Sequence, residues 1–102
     1  MHAGLEGVRT ELHERIAAIG ARTASRVELA REIDAIRAIA HRAGMHPAVT
    51  VAHLLDDALS RGEHGPLVHG WLSVLSDAVA SDRHDAAACD TFAAACAVRF
   101  IG

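Results

Sequence analysis

At 102 residues, with 51% hydrophobic and 23% charged residues and a formal net charge of -3, the chain has the size and composition of one globular domain, residues 1–102, and no room for a second. A chain of this length buries roughly two thirds of the surface its unfolded form exposes, so a single core holds it without disulfides or a structural metal. Its 10 basic and 13 acidic residues are interspersed rather than gathered into a basic stripe, which excludes nucleic acid as an expected partner.

Apolar residues at Leu5, Val8, Leu12, Ile16 and Ile19 fall three or four apart and form the stripe of a first helix, with Gly20 as its expected stop. Ser25 followed by Glu28 is a capping box that opens a second helix, whose apolar face is Leu29, Ile33, Ile36, Ala40 and Ala43 with Ile39 on the flank. Gly44 is its expected end. Pro47 fits the first turn of a third helix, carried by Val51, Ala52, Leu55, Ala58 and Leu59 as far as Gly62. Pro66 opens a fourth in the same way, with Val68, Trp71, Leu72, Leu75 and Val79 on one face. Asp82, with Asp85 three residues on, is the expected cap of a fifth, in which Cys89, Phe92, Cys96 and Phe100 point inward.

No segment alternates apolar and polar with period two, and the 22 alanines favour helix throughout. With short connections, the expected fold is all-α: an up-and-down antiparallel bundle of four main helices plus one additional helix.

The chain has no Lys, Asn, Gln or Tyr, and all ten cations are Arg. A P-loop and a Schiff base both need a Lys, and no glycine-rich dinucleotide fingerprint occurs, so nucleotide hydrolysis and nicotinamide chemistry are not expected. The expectation is a protein without enzymatic activity or cofactor. No run of 18 apolar residues occurs, and residues 1–7 lack the basic region and apolar core of an export signal, so the expected setting is the cytoplasm, away from the membrane. Cys89 and Cys96, seven apart on one helix, stand roughly 10 Å from each other, too far to bridge, and read as small core residues.

Eight histidines are many for this length. His46, His53 and Asp57 recur on one face of the third helix, the spacing that a metal site would require from a single helix; a closed site needs further ligands from a second helix, such as His13, His41, His64 or His69. No Glu-x-x-His pair of the di-iron bundles occurs, and no metal is expected. Asp56 and Asp57 project about 100° apart and do not share a proton as a catalytic dyad would. The alternating charges Arg9, Glu11, Glu14 and Arg15 read as a solvated face of the first helix.

The second helix differs. Asp34 and His41 project within about 20° of each other with Arg37 beside them, flanked by the small residues Ala30 and Ala38 that let a partner approach closely. These five residues are the candidate docking strip. The run Asp34-Ala35-Ile36-Arg37-Ala38 to Gly44-Met45, followed by Val51 to Gly62, resembles the histidine phosphotransfer domains, four-helix bundles that relay a phosphoryl group between sensor kinases and response-regulator receivers. Their motif is His-x-Leu-Lys-Gly on an exposed helix face. By the resemblance, Ile36 takes the leucine position, Arg37 that of the lysine that steadies the phosphate, Ala38 the small position and Gly44 the turn glycine. Asp34 stands where the phospho-accepting His belongs, which implies a domain inactive in phosphotransfer that still docks a receiver or sensor kinase. His41 is the alternative phosphate acceptor. The alanine-rich fifth helix, with Phe100 and Ile101 near its end, has two expected packings that the sequence does not separate: on its own bundle, or on a second copy of the chain in a homodimer.

Overall fold

The computed structural model describes residues 2–21, 25–62 and 66–97, and over these the chain folds into five helices with no strand. They are α1 (His2–Ala21), α2 (Arg26–Arg42), α3 (His46–Ser60), α4 (Pro66–Ala80) and α5 (Ala86–Cys96). The radius of gyration, 12.7 Å, is that of a packed globule of about 100 residues. Phe100, Ile101 and His64 lie outside the described residues.

The helix boundaries follow local chemistry. Ser25 accepts a hydrogen bond from the Glu28 backbone N–H while the Glu28 carboxylate accepts one from the Ser25 N–H, at 3.2 Å each, so the capping box closes as the sequence indicates. At the other end of α2, Gly44 takes φ +74°, its N–H reaches the His41 carbonyl and the Met45 N–H reaches that of Ala40. This paired closure is a Schellman motif, which needs a left-handed residue after the cap. Gly62, at φ +89°, closes α3 with its N–H on the Leu59 carbonyl.

Two boundaries depart from expectation. Gly20 does not stop α1, which runs through it to Ala21; its backbone is not left-handed, so without tertiary demand the helix simply continues. Asp85, not Asp82, caps α5, accepting from the Ala88 N–H at 2.9 Å. Asp82 instead meets Arg9 of α1 at 3.3 Å, and the same guanidinium donates to the Ser81 carbonyl at 3.0 Å. Arg9 is thus a largely covered clamp on the end of α4 rather than part of a solvated face.

α3 is the most enclosed helix, burying Pro47, Ala48, Val51, Ala52, Leu55, Ala58 and Leu59 and packing against α2, α4 and α5. α1 packs against α2 and α4, contributing Leu12, Ile16 and Ile19. Ile33, Ile36 and Ala40 from α2 and Trp71, Leu72, Val74, Leu75, Ala78 and Val79 from α4 complete the core, with Trp71 fully buried. Met45, between α2 and α3, is also fully buried, a core position outside the apolar stripes. From α5 come Ala88 and Cys96, with Phe92 half-buried; Cys89 is half-exposed and does not belong to the core. Its helix packs against α3 through Ala88, Phe92 and Cys96 rather than through Cys89.

Candidate functional site

The docking strip flanks the α2–α3 junction instead of facing straight outward. Ile33, Ile36 and Ala40 turn one face of α2 into the core, and the Arg15–Glu32 pair at 3.6 Å fastens one flank to α1. By helical projection, Ala30, Asp34, Arg37 and His41 lie on the opposite flank, beside α3. There Asp34 is 61% exposed and pairs with Arg37 at 3.4 Å. Ala30 and Ala38 are half-buried, and His41 is exposed in the last turn.

Across the junction Asp34 meets Asp56 of α3. Burial, then a hydrogen bond and repulsion between the two carboxyls, push the Asp56 carboxyl up to about 6, against the opposing pull of Arg37 and His53. The carboxyl that meets Asp56 comes from another helix, twenty-two positions earlier in the chain, and no local spacing could reveal it.

The carboxyl pair lines a surface groove of about 410 Å³ together with Arg26, Val27, Ala30, Leu59 and Ser60. Val27 is 64% exposed, the one large hydrophobic residue so placed among the described residues. The groove therefore combines an apolar patch, a carboxyl pair and, at its end, the Arg26 guanidinium close to Gly62. Two of the five strip residues, Ala30 and Asp34, line it; Arg37 acts on it through both carboxylates, whereas Ala38 and His41 do not line it.

The histidines are not gathered. His53 lies 3.9 Å from Asp57 on exposed surface, His13 hydrogen-bonds through Nε2 to the Ser76 carbonyl at 3.2 Å, and His46 stands at the start of α3. Among the described residues no group of three or more His, Cys, Asp or Glu side chains is placed to hold a metal ion, so His46, His53 and Asp57 do not form the site their spacing allows. A second groove of about 400 Å³ brings Cys89 beside His46 and His84, but Asp85 and Asp90 share it, so it is not the electropositive setting that activates a thiol. Asp85 is itself held below the usual carboxylate range by the Ala88 N–H and by Arg83.

No helix among the described residues is long and apolar enough to cross a membrane. Comparison with known proteins finds no matching family model, no matching curated protein and no matching solved structure.

Proposed function

We propose that this chain is a non-catalytic protein-interaction module, similar to a histidine phosphotransfer domain without its phospho-accepting histidine, that docks a response-regulator receiver or a sensor kinase through the flank of α2. One observation carries the reading: the exposed Asp34–Arg37 pair stands mid-helix at a groove whose apolar patch includes Val27. Charged groups with fixed geometry around an apolar patch give a docking face both register and contact area.

The same reading takes α1 to α4 as an up-and-down bundle with α5 laid on α3. It is supported by the packing of each helix on the next in sequence and of α1 on α4, which closes the ring. The cytoplasm suits the two free cysteines. With a carboxylate at position 34, the phosphoryl group has no imidazole to accept it, and the module works by occupancy alone.

The test is a pull-down from the native lysate with wild type and with an Asp34→Arg, Arg37→Glu variant. Capture of receiver or sensor-kinase proteins by wild type and their loss in the variant support the reading. Equal recovery by both forms, or recovery of neither class, rejects it. Labelling by a kinase with ATP that disappears in His41→Ala would replace docking with phosphotransfer.

A further inference from the structure

The groove holds charges of both signs on one face. Arg26, Ala30 and Asp34 follow one another at intervals of four on α2, so they form a row in which the Cα positions of Arg26 and Asp34 lie about 12 Å apart along the helix with Ala30 midway, and the Arg26 guanidinium reaches toward Gly62 at the end of α3. Arg26 makes no ion pair among the described residues. At the other end of the row, two carboxyls, Asp34 and Asp56, share a single neighbouring guanidinium, that of Arg37. The apolar residues Val27 and Leu59 lie between and beside them.

A row of this kind is complementary to itself when reversed. Rotating α2 by a two-fold axis through Ala30 sets Arg26 against Asp34 at both ends, and the methyl group at the centre permits the close approach of two helices, at the lower end of the usual 8–10 Å. We propose that the N-terminal half of α2 and the end of α3 form a self-association face, on which a second copy of this chain docks antiparallel about Ala30, with its Arg26 on the Asp34–Asp56 pair and its Val27 covered in the groove. The occupant is argued from charge. Arg26 and Asp34 stand four residues either side of a small residue, with Asp56 beside Asp34, and a two-fold interface requires that each patch carry both halves of the contact. The row shares Asp34 and the Val27 groove with the proposed docking face, and self-association of the purified chain is read independently of what a lysate pull-down returns.

Charge exchange tests it. Wild type, Arg26→Asp, Asp34→Arg and an equimolar mixture of the two variants are compared by sedimentation equilibrium up to roughly 1 mM, with helicity checked by circular dichroism. Wild type is expected to dimerise and each variant to lose about tenfold or more in self-association, because each then opposes like charges twice. The mixture is expected to regain dimers, since the introduced aspartate of one variant meets the introduced arginine of the other while the second contact stays native. Regained association also shows that both variants fold. A wild type that remains monomeric over this range, variants that dimerise as wild type does, or a mixture that stays monomeric would each overturn the proposal.

Discussion

Asp56 concentrates the electrostatics of the site. Its carboxyl is pushed up from the ordinary 3.8 to about 6, so the folded state holds a proton that the unfolded chain has released between those values. The stability this contributes is fully present below about pH 3.8 and is lost as the pH rises through about 6. Asp56→Asn keeps a hydrogen-bond donor toward Asp34 and removes the second negative charge. Thermal melts from pH 4 to 8 should therefore show the variant gaining on wild type as pH rises, with the gain levelling off above about 6.5. A gain of constant size across the range would show that burial and Asp34 do not hold the Asp56 carboxyl above its ordinary value.

Two glycines separate what a helix wants from what a turn requires. Gly20 lies inside α1 with nothing within 4 Å of the position a Cβ would take, and its backbone is not left-handed. Gly20→Ala should stabilise the protein by up to about 1 kcal/mol, the ordinary difference in helix propensity. Gly44 has equally open surroundings but sits at φ +74°. There the same substitution meets the left-handed penalty and should cost about 1–2 kcal/mol. Denaturant titration of both variants measures the contrast, and a shared sign would mean that the Schellman closure of α2 tolerates rearrangement. Sequence pattern marks both glycines as stops; a tertiary reason to turn exists only at Gly44, where α3 must fold back onto α2.

At the scale of the molecule, stability rests on a core drawn from all five helices, centred on α3 and on Trp71 of α4. Trp71→Ala should cost about 3–5 kcal/mol, because neighbours close only partly over the space left by an indole. Against a total of about 5–15 kcal/mol for a domain of this kind, such a loss brings the protein close to unfolding at room temperature. Chemical denaturation measures it. A loss under about 1 kcal/mol would place the centre of the core elsewhere.

Much of this architecture is legible in the residues themselves. The stripe of Leu12, Ile16 and Ile19, the Ser25–Glu28 box, Pro47, Pro66 and the paired turns at Gly44 and Gly62 are local signals, and helices respond to neighbours three or four positions away. The exposed Asp34–Arg37 pair belongs to the same class, being a contact within one turn. What the pattern could not supply are meetings between distant positions: Asp34 with Asp56, Arg9 with the end of α4, Met45 in the core, and Cys89 half-exposed beside His46 and His84. Periodicity states which face of a helix is apolar, whereas the angle at which helices cross decides which flank lies against which. The composition and spacing of this chain determined its helices and most of its core; the packing of α2 on α3 decided that Ala30 and Asp34 of that strip would line a groove while Ala38 and His41 would not.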